Sequence, residues 1–111
     1  MTQYKEQLGT TLDRLAETID VRKGAAPESS YTASLLTGGA QKCAKKFGEE
    51  SFEFALAAVT GDKQHIAEEA ADVLYHFMVL LSASGVSTDK VSKILAHREG
   101  MSGHEEKSSR T

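Results

Sequence analysis

The stretch EESFEFALAAVTGDKQHIAEEAAD, from Glu49 to Asp72, decides the fold of this chain. It holds two acidic motifs of one form, Glu49-Glu50-x-x-Glu53 and Glu68-Glu69-x-x-Asp72. Side chains three or four apart share a helix face, and at about 100° per residue Glu50 and Glu53 stand about 60° apart, as do Glu69 and Asp72. Each motif is a two-carboxylate claw on a helix. Gly61-Asp62 between them reads as a turn, with Asp62 as the N-cap of the second helix, so two helices are expected to present their claws to each other.

Charge and apolar spacing sharpen this reading. The stretch carries seven acids against the single base Lys63, whereas the whole chain has a net charge of −3. Like charges this dense repel unless something neutralises them. On the first helix Cys43, Phe47, Phe54 and Ala58 lie beside the acidic stripe, and Phe52, Leu56 and Val59 cover the far side. A helix apolar nearly all round is expected to be buried, which would turn its charged stripe towards an interior cleft. The second helix repeats the arrangement. His65, Glu68, Glu69, Tyr75 and His76 lie within about 60° of Asp72, and Ile66, Ala70, Val73, Leu74, Phe77, Met78 and Leu81 fill most of the rest. Four facing carboxylates are most simply explained by a divalent cation; a solvated or salt-bridged acidic face is the alternative. An all-carboxylate set suits Mg²⁺, with Mn²⁺ as a substitute, and such ions commonly complete their shell with waters and substrate phosphates. A di-iron bundle would want Glu-x-x-His on two helices, and Leu56 and Asp72 stand where those histidines would be. His76 reads equally as a substrate-contacting group and as a satisfied core histidine.

Outward from this centre the periodicity stays helical. Leu8, Leu12, Leu15 and Ile19 make a first amphipathic helix that should end near Arg22-Lys23-Gly24, before Pro27. Ser29-Ser30 can cap a short helix through Leu36, and Gly38-Gly39 punctuates it. The first claw helix is expected to run to Thr60 and the second to end near Gly85. Ser87 or Thr88 should cap a last helix carrying Val91, Ile94 and Leu95. From about Gly100 to Thr111 the composition turns to Gly, Ser and charge, which reads as a C-terminal arm. The expectation is one all-α domain over residues 1–111, an antiparallel helical bundle whose spare apolar faces are covered in a homodimer with a four-helix core.

Composition excludes several classes. At 111 residues the chain can bury about two-thirds of its unfolded surface in one domain. No run is long enough to span a membrane, and Met1-Thr2-Gln3-Tyr4-Lys5 has no signal-peptide core. The lone Cys43 leaves no internal disulfide and fits a reducing, cytoplasmic location. A mildly acidic chain without a basic patch among aromatics is not expected to take nucleic acid as its partner.

More specific stretches surround the claws: Ser30-Tyr31-Thr32-Ala33 with Leu35-Leu36, Lys42-Cys43-Ala44-Lys45-Lys46-Phe47-Gly48-Glu49-Glu50, Ala71-Asp72-Val73-Leu74-Tyr75-His76, and Arg98-Glu99-Gly100-Met101-Ser102-Gly103 with Glu106-Lys107. Together they resemble the phosphoribosyl-ATP pyrophosphatase family of histidine biosynthesis, within the MazG-like all-α nucleotide pyrophosphatases. The likeness runs in order over nearly the whole chain. It implies Mg²⁺-dependent hydrolysis of phosphoribosyl-ATP between the α and β phosphates, giving phosphoribosyl-AMP and pyrophosphate. It also implies Glu50, Glu53, Glu69 and Asp72 as metal ligands, and Glu49 as a further ligand or the group that orients water. Phe52 and Phe54 are bulkier than the family pattern suggests. The family is often fused to a cyclohydrolase domain, for which this chain has no room, so a stand-alone enzyme is expected.

The roles that follow divide by chemistry. Glu49 or Glu53 would take a proton from the attacking water. Lys42 and Lys46, two turns and one turn before the claw, could hold the pyrophosphate end; ordinary pairing of Lys46 with Glu50 and Lys45 with Glu49 is the competing reading. Tyr31 and Thr32 could line the nucleotide pocket, and Arg98, Ser102 and Lys107 could close over the extra phosphoribosyl group. Two further readings stay open: a house-cleaning pyrophosphatase of ordinary (d)NTPs using the same claws, and a non-catalytic helical dimer that binds metal.

Overall fold

Helix boundaries follow from local chemistry. In the computed structural model, which describes residues 6–101, the order is α1 (Leu8–Arg22), a single 3-10 turn (Pro27–Ser29), α2 (Tyr31–Thr37), α3 (Gly39–Thr60), α4 (Lys63–Ala83) and α5 (Thr88–Arg98). No strand occurs among the described residues, and the chain is all-α. Side-chain caps start α2, α4 and α5: Ser30 Oγ accepts from the Ala33 amide, Asp62 from the His65 amide at 2.8 Å, and Ser87 Oγ from the Lys90 amide. At the far end of α4 the Val86 amide donates to the Leu81 carbonyl and the Gly85 amide to the Ser82 carbonyl. This closure needs a left-handed residue, and Gly85 supplies it with φ 71°. Pro27 at the start of the 3-10 turn fixes φ without wasting an amide.

The two long helices, of 22 and 21 residues, are joined by the tight turn at Gly61-Asp62 and pack along each other as an antiparallel pair. Against this pair lie α1 and α2. The core forms where they meet α4: Ile19, Leu35, Cys43, Met78 and Val79 are buried, with Leu12, Leu15, Leu36, Phe77 and Leu80 packed round them. Cys43 donates its thiol hydrogen to the Leu35 carbonyl at 3.3 Å. Burial raises the pKa of that thiol, and Lys42 opposes the shift only in part, so Cys43 serves as a small core residue.

One expectation needs correcting. The first claw helix is not buried all round, because Phe52, Leu56 and Val59 are 66%, 50% and 84% exposed. The inward side of α3 is filled by α4, with the Phe47 and Phe77 rings 6.3 Å apart, which leaves the i, i+4, i+7 stripe facing outward. A second apolar surface is the groove of about 610 Å³ between α1, α4 and α5, lined by Leu12, Leu74, Phe77, Leu81, Val91 and Leu95. No single helix among the described residues is long and apolar enough to cross a membrane. Most of the expected C-terminal arm, including Ser102 and Lys107, lies outside the described residues.

Candidate functional site

Pairing α3 against α4 brings three of the four claw carboxylates to one place. Carboxylate oxygens of Glu50, Glu69 and Asp72 all lie within 4.8 Å of one another. Glu50 and Glu69 are half-buried and Asp72 is exposed, so the group opens to solvent on the Asp72 side. Glu53 is exposed, one turn beyond Glu50, and stands outside this three-residue group. Its charge still reaches Glu50. Burial pushes the Glu50 carboxyl above its ordinary value, and the carboxylates of Glu53, Asp72 and Glu69 push the same way, while His76 pulls back.

Glu69 supplies the decisive detail. Its Oε2 is shielded from solvent and has no hydrogen-bond partner among the described residues. An acceptor in that state costs about 1–3 kcal/mol, more when charged. The donors here are three carboxylates with no base among them, so a hard divalent cation meets the need of all three. The residues present therefore fit such an ion. Glu68 does not join them; it turns outward and accepts from Gln64 Nε2 at 3.3 Å.

The basic residues lie earlier on α3. Lys42 reaches back over Gly38 to α2, with Nζ 3.4 Å from Ser34 Oγ, a partner eight residues away that no local spacing singles out. Lys46 pairs with Glu49 at 3.5 Å rather than with Glu50, so the local pairing is i,i+3. Both members are well exposed, and such a pair contributes at most about 1 kcal/mol. Arg98 is the half-buried last residue of α5, the helix that lines the groove with α1 and α4.

Beyond the carboxylates, α2 and α4 are clasped by two side-chain hydrogen bonds. His76 Nδ1 is 2.9 Å from the Asp72 carbonyl, which can only accept, so Nδ1 carries a proton. In the neutral ring Nε2 then accepts from the Tyr31 hydroxyl at 3.4 Å. Thr32 Oγ1 and Tyr75 Oη are 2.5 Å apart in the second bond. Burial raises the Tyr75 pKa and the Thr32 bond offsets part of that rise, leaving the phenol protonated. Sequence spacing had put Tyr75 and His76 on the polar stripe of α4. It could not pair them with Tyr31 and Thr32, because 45 and 43 residues separate the partners.

Comparison with known proteins bears on this geometry. Residues 12–99 match the model of the phosphoribosyl-ATP pyrophosphohydrolase family. The chain is 54% identical over 101 residues to the phosphoribosyl-ATP pyrophosphatase of Cereibacter sphaeroides, covering 91% of this chain and 98% of that one. It is 55% identical over 101 residues to the enzyme of the same name from Paracoccus denitrificans, covering 91% and 94%. A third relative, phosphoribosyl-ATP pyrophosphatase 1 of Bradyrhizobium diazoefficiens, is 54% identical over 100 residues, covering 90% and 94%.

Proposed function

Because the chain belongs to the phosphoribosyl-ATP pyrophosphohydrolase family, we propose that it hydrolyses phosphoribosyl-ATP between the α and β phosphates, releasing phosphoribosyl-AMP and pyrophosphate in histidine biosynthesis. The observation that carries the chemistry is the convergence of Glu50, Glu69 and Asp72, with one Glu69 oxygen buried and unpartnered.

In this reading Glu50, Glu69 and Asp72 hold Mg²⁺, for which Mn²⁺ can substitute, and Glu53 adds a carboxylate from the next turn. The cation, when bound, neutralises phosphate oxygens and lowers the pKa of water beside it. Everything else is the work of the chain. Glu49 or Glu53, both exposed, takes the proton from the attacking water. Lys42 and Lys46 neutralise charge at the pyrophosphate end, where Lys46 would exchange its weak pairing with Glu49 for a phosphate oxygen. Tyr31 and His76 border the nucleotide. Arg98 contacts the added phosphoribosyl group.

A homodimer belongs to the same proposal. The outward stripe Phe52, Leu56 and Val59 and the groove between α1, α4 and α5 are the apolar surfaces that a second copy would cover, completing a four-helix core. A cytoplasmic location is part of the same proposal, and a chain whose lone Cys43 allows no internal disulfide suits a reducing compartment. The test is pyrophosphate release from phosphoribosyl-ATP, with dNTPs as competing substrates: preference for dNTPs would return the chain to nucleotide house-cleaning.

A further inference from the structure

We propose that the ring of Tyr31 is the platform on which the purine base of the nucleotide stacks, held in place by His76 and Tyr75. The proposal rests on the nucleotide-hydrolase reading above and assigns a separate part of the substrate to a separate part of the site.

Tyr31 is 55% exposed although it stands at the first position of α2 with several fixed contacts. Its ring stacks on that of Tyr75, with centroids 6.3 Å apart and planes 20° from parallel. Its hydroxyl is tied to Nε2 of His76, a residue only 6% exposed. Tyr75 is fixed in turn by Thr32, and His76 by the Asp72 carbonyl. An aromatic side chain has few rotors, and here they are held from two sides while much of the ring stays open to solvent. That is a preorganised stacking surface, since the entropy of ordering it is already lost before a ligand arrives.

Position fits the base rather than the phosphates. The Tyr31 and His76 rings meet edge to face with centroids 6.2 Å apart, and His76 in turn bonds the residue that supplies one of the three carboxylates. His76 thus touches both the platform and the backbone of the α4 turn that carries Asp72. A nucleotide with its phosphates at the carboxylates carries its base beyond the sugar, so an open ring beside that turn suits the base and not the phosphates. The described ring contacts of Tyr31 are with Tyr75 and His76, and the part of the ring left open to solvent offers a π-face.

Tyr31→Leu and Tyr31→Phe test this, with AMP as a probe of the base subsite and pyrophosphate as a probe of the phosphate subsite. For Tyr31→Leu, KM for phosphoribosyl-ATP and the inhibition constant of AMP should rise about tenfold or more, the scale of one base stacked on an aromatic ring. Its kcat should stay within about threefold of the parent, as expected when binding is lost equally from ground and transition states. Inhibition by pyrophosphate should be unchanged, which also shows that the variant is folded. Tyr31→Phe, which keeps the ring but gives up the bond to His76, should fall between the parent and Tyr31→Leu for AMP. Unchanged AMP inhibition in Tyr31→Leu overturns the platform, as does an equal loss of AMP and pyrophosphate inhibition or a change in oligomeric state. A parent that fails to hydrolyse phosphoribosyl-ATP, yet loses AMP binding selectively on Tyr31→Leu, overturns the substrate and supports the platform.

Discussion

Glu50 on α3 and Asp72 on α4 present carboxylate oxygens within 4.8 Å of each other, and Glu69 joins them at the same spacing. Three acids brought together repel one another, so the cation proposed to bind there should stabilise the fold. Mg²⁺ at ten times its dissociation constant should stabilise the protein by about 1.4 kcal/mol, raising Tm by about 5–10 °C for a domain of this size. Glu69→Gln should abolish most of the rise. Thermal melts with Mg²⁺ and with EDTA decide, and a Tm indifferent to both speaks against the cation site.

The same crowding gives a signed pH effect. Burial first, and then Glu53, Asp72 and Glu69, hold the Glu50 pKa above its ordinary 4.5. The folded state therefore binds this proton more tightly than the unfolded chain, so Glu50's contribution to stability is present below pH 4.5 and is lost as pH rises through the raised folded value. In EDTA, Glu50→Gln should remove that part of the decline and melt above the parent at neutral pH. Melts of both proteins across pH 4–8 check this; parallel curves would count against it.

Glu53 stands at the rim, outside the three-residue group, which suits a residue that handles a proton as well as charge. Glu53→Gln should lower kcat for pyrophosphate release by about 10²–10⁴-fold, the usual loss for general acid-base groups, while melting near the parent. Glu49→Gln, assayed beside it, identifies which of the two takes the proton. Parental turnover in both variants would remove the role from this pair.

Much of this was legible in the sequence because it was local. The i,i+3 spacing of Glu50 with Glu53 and of Glu69 with Asp72, the caps at Ser30, Asp62 and Ser87, and the glycine at 85 each act within one or two turns, and the helices begin and end where those signals stand. Apolar spacing on α3 misled for a physical reason. It records that Phe52, Leu56 and Val59 are apolar, not that anything in the same chain covers them. The clasp of Tyr31 with His76 and Thr32 with Tyr75 was beyond reach as well, since it depends on how α2 lies across α4. So was the choice of Lys46 between Glu49 and Glu50, a matter of side-chain rotamers.

The uncovered stripe yields its own expectation. The protein should sediment as a dimer at micromolar concentration, and Phe52→Asp with Leu56→Asp should shift it to the monomer, because paired charges within an apolar contact lose their water without gaining a partner. A monomeric parent would leave these side chains without a role in assembly.

Asp62 is the cap that starts the second claw helix, accepting from the His65 amide at 2.8 Å. Asp62→Ala should cost about 1 kcal/mol, or about 4–8 °C in Tm, with a native circular dichroism spectrum. A melt at the parental temperature would mean that packing against α3 alone fixes the start of α4.

The most direct measurement is pyrophosphate release from phosphoribosyl-ATP by the purified protein, with Mg²⁺ and with EDTA, beside dNTP controls. Release that requires Mg²⁺, is selective for phosphoribosyl-ATP and is lost in Glu69→Gln is the predicted result. Turnover that persists in EDTA, or that favours dNTPs, would contradict the account.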